Sequence, residues 1–83
     1  MTMKDKMIIE FCWGDSRQDI EVPKSLTCDE LIYSLNEGIG LGLDVNNPDG
    51  FAFSCETARD QIRGEKTLED VGLLDGAVVK LIE

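Results

Sequence analysis

With 83 residues and a net charge of −9, from 17 acids against 8 bases, the chain is one small domain that repels phosphate, which argues against nucleic-acid binding and against docking on anionic lipid. A hydrophobic content of 42% against 30% charged describes a globular chain, not a disordered one, and no apolar run approaches the ~18 residues a membrane span needs. Three cysteines (Cys12, Cys28, Cys55) without CxxC spacing form neither a disulfide framework nor a zinc site, and without histidine there is no Ser/His or Cys/His catalysis.

The opening Met1-Thr2-Met3-Lys4-Asp5-Lys6 has no apolar signal-peptide core, so residues 1–6 are expected as a loose extension and the location as cytoplasmic, with reduced thiols. From Met7 to Trp13 the residues alternate, with Met7, Ile9, Phe11 and Trp13 on one face and Ile8, Glu10 and Cys12 on the other. Gly14-Asp15-Ser16 makes a turn, and Gln18 to Val22 alternates again with Ile20 and Val22 inward, which predicts a β-hairpin closed by Pro23.

Thr27-Cys28-Asp29-Glu30 is a capping box. Cys28, Leu31, Ile32 and Leu35 follow at i, i+3, i+4 and i+7, so the main helix is expected over about 27–38, with Gly38 as its left-handed terminator. Residues 38–50 read as a glycine-rich loop pinned by Ile39, Leu41, Leu43 and Val45. Phe51, Phe53 and Cys55 point inward from a third strand, and a minor strand is expected around Gln61-Ile62. Thr67 then caps a short turn near 67–72 that plants Leu68 and Val71 in the core. Gly72 ends that turn, and Asp75-Gly76 turns the chain into a last strand with Val79 and Leu81 on one face and Val78, Lys80 and Ile82 on the other. One helix across a mixed sheet of four to five strands is an α+β, β-grasp architecture, a single domain over 1–83.

Ile62-Arg63-Gly64-Glu65-Lys66-Thr67-Leu68-Glu69-Asp70 resembles the ubiquitin segment that enters the "TL-x-D" turn. Within the ubiquitin-like superfamily, Gly64, Leu68, Asp70, Gly72, Leu73, Gly76, Val79 and Leu81 resemble the motif of the bacterial YukD/EsaB family of type VII (WXG100) secretion, with Leu73 and Ala77 where that family usually carries Ile and Asp. The resemblance implies a non-enzymatic cytoplasmic accessory that works through protein contacts and supports export of WXG100 substrates by a membrane-embedded ATPase machine. It implies no cofactor, no catalytic residue and no metal. A ubiquitin-like domain of another assembly is the alternative, and a conjugated modifier or sulfur carrier is a weaker one. The sequence closes on Leu81-Ile82-Glu83 with no Gly-Gly, so covalent transfer is not expected.

Two loops invite chemical readings and fail them. Gly38-Ile39-Gly40-Leu41-Gly42 has no basic residue and follows a helix instead of opening one, so it is no phosphate cradle. Asp44-Val45-Asn46-Asn47-Pro48-Asp49-Gly50 lacks the closing glutamate of a calcium loop, since Cys55 stands in its place. Alignment on the "TL-x-D" block puts Glu56 and Ile82 where ubiquitin carries the apolar centres of its binding patch. The expected partner surface is therefore a polar one on the same sheet face, from Ser54, Glu56, Lys80 and Ile82, with Trp13 as a further aromatic candidate.

Overall fold

The computed structural model describes residues 5–44 and 46–82. Strand β1 spans Lys6–Trp13 and pairs antiparallel with β2, Ser16–Pro23. Gly14 takes φ +56 at the first of two turn positions and Asp15 does not follow it past zero, the arrangement of a type II′ hairpin. This tight turn lets β2 begin at Ser16, two residues before the alternation of its side chains becomes legible. The expected loose extension is already strand at Lys6, and the Asp5 carbonyl accepts from the Lys24 N–H at 2.8 Å; residues 1–4 lie outside the described residues.

Helix α1 is Cys28–Leu35, opened by the full capping box: the Glu30 N–H donates to Thr27 Oγ1 at 3.1 Å and the Thr27 N–H to Glu30 Oε1 at 3.0 Å. Cys28, Leu31, Ile32 and Leu35 are its buried side chains. Gly38 does not terminate it. The chain continues through one π-helical turn, Asn36–Gly40, and the left-handed conformation falls at Gly40 (φ +80). Asn36 supplies the reason for the longer path: its side chain donates to the Leu43 carbonyl at 3.1 Å and accepts from the Leu43 N–H at 2.9 Å, drawing the loop back under the helix end. Leu43 is buried and Ile39 and Leu41 half-buried, so the loop is pinned as expected; Val45 lies outside the described residues.

A single 3₁₀ turn, Pro48–Gly50, leads into β3, Ala52–Ser54, and β4 is Val78–Ile82. The sheet order is β2-β1-β4-β3, with β1 and β4 parallel (Phe11 opposite Val79) and β3 antiparallel to β4 (Phe53 opposite Leu81). Met7, Ile9 and Phe11 from β1, Phe53 and Val79 meet the helix stripe in one core with no buried polar side chain among the described residues.

The minor strand expected at Gln61-Ile62 is absent. Ile62 is buried, but the backbone that follows it is engaged elsewhere: the Gly64 and Lys66 carbonyls accept from the Asp29 and Cys28 N–H groups at 3.0 and 2.8 Å, and Thr27 and Thr67 form an isolated antiparallel bridge. The helix N-terminus has unsatisfied donors, and this segment satisfies two of them instead of extending the sheet. Beyond it, Thr67 caps its turn (Asp70 N–H to Thr67 Oγ1, 3.1 Å) and Gly72, at φ +94, closes it as a Schellman motif. There the Leu73 N–H reaches the Leu68 carbonyl at 3.0 Å and the Gly72 N–H that of Glu69 at 3.1 Å, with Leu68, Val71 and Leu73 fully buried.

Candidate functional site

The face of the sheet turned away from α1 is built by strand alternation. Ile8, Glu10 and Cys12 of β1, Val78, Lys80 and Ile82 of β4, and Ala52 and Ser54 of β3 all point to it. The register lays out rows across the strands: Arg17, Cys12, Lys80 and Ser54 form one, Glu10 and Val78 stand in the next, and Ile82 lies opposite Ala52. The Ile8 end of this face is fixed by the turn before β4, where the Asp75 carboxylate accepts the Ile8 N–H at 2.7 Å and the Gly76 N–H donates to the Ile8 carbonyl at 2.7 Å.

Three apolar side chains on this face reach solvent: Ile8 (45% exposed), Val78 (41%) and Ile82 (53%). Between them Glu10 pairs with Arg17 at 3.6 Å and accepts a long contact from Cys12 Sγ at 3.7 Å. Lys80 has no acid within ion-pair distance among the described residues, so its charge is presented to solvent beside Val78 and Ile82. A solvated strand face shows scattered single apolar residues; here Val78 and Ile82 flank the unpaired Lys80 on β4, while Ile8 lies beyond Glu10 toward the other end of the face.

The expected contact residues divide between places. Ser54, Lys80 and Ile82 are brought together, with Ser54 and Lys80 as direct cross-strand partners. Glu56 is exposed but stands outside the ladder, because β3 ends at Ser54 and the Ala58 N–H to Cys55 carbonyl bond (3.1 Å) turns the chain off the sheet. Trp13 lies on the inner face, half-buried and stacked on Phe11 with ring centroids 5.3 Å apart, so it closes the core edge and is not part of the outer patch. Ile8 and Val78 were not picked out from sequence, although their outward phase in two strands was the available signal.

Away from this face, Cys28, Asp60 and Lys66 are ionisable groups perturbed by their surroundings. Burial, and then the nearby Asp29 carboxylate, pushes the Cys28 thiol up to about 11, which keeps it protonated and unreactive. Asp60 and Lys66 are joined by a side-chain hydrogen bond on the surface that holds the carboxyl below and the ammonium above their usual ranges. Among the described residues there is no cluster of three or more side chains able to hold a metal ion.

The sequence matches, over residues 7–81, the family described as YukD, WXG100 protein secretion system (Wss), protein YukD. The chain belongs to the YukD family. No curated protein matches it. Among solved structures, the ubiquitin-like domain of the Mycobacterium tuberculosis type VII secretion system protein ECCD1 is similar in fold, with a TM-score of 0.58 at 18% identity, covering 94% of this chain and 98% of that one. The N-terminal ubiquitin-like domain of the 4931431F19Rik protein superposes with a TM-score of 0.71 at 9% identity, covering 94% and 74% respectively. The β-grasp expected from sequence is thus the fold of this YukD-family chain, and its Leu73 and Ala77, where the family motif usually has Ile and Asp, are both buried. No helix among the described residues is long and apolar enough to cross a membrane.

Proposed function

We propose that this YukD-family chain is a non-enzymatic, cytoplasmic accessory of a bacterial WXG100 secretion system, acting by contact with the machinery's membrane-embedded ATPase component. The observation that carries this reading is the family match over residues 7–81, which takes in every strand and the helix but for the first residue of β1 and the last of β4. The contact surface is the outer sheet face, where Lys80 stands between Val78 and Ile82 on β4 and opposite Ser54 on β3. Glu56 lies just past the end of β3 and contributes less, and Trp13, on the inner face, is left out of it. The patch is small and mixed, as expected of a transient contact in which a few residues dominate.

The test is binding of the purified chain to the soluble portion of the secretion ATPase, followed by calorimetry. Lys80→Glu combined with Ile82→Ser leaves the core untouched and should weaken binding by about tenfold or more, roughly the loss of one good contact. Unchanged affinity in the folded double variant would remove the sheet face from the interface. No binding by the native chain would remove the ATPase as partner.

A further inference from the structure

Strand β3 is an edge of the sheet, and among the described residues its outer side receives no backbone hydrogen bond. Because residues 64–68 are bound to the start of α1, the segment before them stands off from β3 and leaves a groove of about 590 Å³ between helix and strand. Ile32 and Tyr33 from α1, Phe51 and Phe53 from the third strand and its approach, and Ile62 form the apolar and aromatic part of its lining. Tyr33 is 60% exposed although it is aromatic. The other sheet edge, β2, is guarded by Arg17, Asp19 and Glu21 and ends in Pro23, the ordinary protection of an edge strand. The β3 edge is three residues long and contains no charged residue or proline.

The charged residues of the lining are Asp29, whose carboxylate accepts the Gly64 N–H at 2.8 Å, and Arg63, but the chain that builds the helix and strand walls is acidic. From Ser25 to Ala58, which supplies both α1 and β3, there is no Lys or Arg, while Asp29, Glu30, Glu37, Asp44, Asp49 and Glu56 are acids. On the third wall Arg63 is bonded to Asp49 at 3.3 Å. An open strand edge beside an apolar trough with acidic surroundings is a template for an added strand whose backbone supplies affinity and whose side chains and charge supply selection. A second copy would set −9 against −9. We propose that this groove receives an extended apolar segment flanked by basic residues, from a partner protein, which adds as a fifth strand to the outer edge of β3. This deepens the contact reading above, on which it rests for the existence of a protein partner, but it uses a different surface.

The probe is a synthetic octapeptide with a Val-Ile-Val-Ile centre and two lysines at each end, titrated into the isotope-labelled full chain and followed by NMR. Saturable shifts are expected at residues 32–33, 51–54 and 61–64, with new exchange protection of β3 amides. Replacing the lysines by glutamates should weaken binding by about tenfold or more, and added salt should narrow that gap. Methylating alternate peptide amides should abolish binding in the series that faces β3 and spare it in the other, since only one set joins the ladder. Tyr33→Ser, at an exposed position, should reduce affinity with the fold unchanged. Absence of saturable binding, shifts centred on Ile8, Val78 and Ile82 instead, or equal binding by both methylated series would overturn the proposal. The peptide assay contains no secretion component, so its failure leaves the ATPase-binding test standing, and failure of that test leaves this one standing.

Discussion

Cys28 shows how a single residue ties sequence to stability. Its place at the head of the helix stripe was legible from the i, i+3, i+4, i+7 spacing, and its side chain is fully buried. The unfolded chain releases this proton near 9 and the folded chain only near 11, so the folded state holds more protons between those values. Stability is therefore present in full below pH 9 and falls as the pH rises toward 11. Denaturant midpoints measured across that window should drop more steeply for the native chain than for Cys28→Ala; parallel curves would contradict the burial. Gly72 makes the complementary case. At φ +94, with the Thr57 carbonyl oxygen 2.8 Å from where a Cβ would sit, it tolerates no side chain, and Gly72→Ala should cost roughly 2 kcal/mol or more by chemical denaturation. The turn-ending role of Gly72 could be read from its position after Leu68 and Val71. The misassignment of Gly38 came from the same rule, because a terminating glycine and a glycine inside a π turn look alike until the Asn36 tether to Leu43 is seen.

Among the elements, strands β1 and β2 and helix α1 declare themselves by periodicity and caps, and the structure follows those signals closely. The piece around Gln61-Ile62 does not, for a physical reason: the buried Ile62 satisfies an apolar pattern whether or not its backbone joins a sheet, and backbone pairing leaves no mark on the sequence. The following carbonyls serve the helix donors, which holds the loop to α1 and leaves the outer side of β3 without a backbone partner among the described residues. The 36–44 segment depends in the same way on one side chain. Asn36→Ala removes both bonds to Leu43 and leaves that half-buried amide unpartnered, so a loss of about 1–3 kcal/mol is expected. Exchange of the Leu43 amide should speed up while the amides of α1 remain protected; slow exchange at Leu43 in the variant would show that Leu41 and Leu43 pin the loop unaided.

For the whole molecule, the parallel pairing of β1 with β4 and the helix crossing between them define the grasp, and both followed from element order once first and last strands were set side by side. The contact surface was only half legible. Alternation placed Ser54, Lys80 and Ile82 on one face, but where β3 ends and how Trp13 packs depend on tertiary turns and stacking that no local pattern carries. Family membership then joins this fold to WXG100 secretion. The most direct measurement is export of a WXG100 substrate from cells lacking this chain, complemented by the native sequence or by the Lys80→Glu, Ile82→Ser variant. Deletion should lower export, the native chain should restore it and the folded variant should not; undiminished export in the deletion strain would rule out a role for this chain in WXG100 secretion.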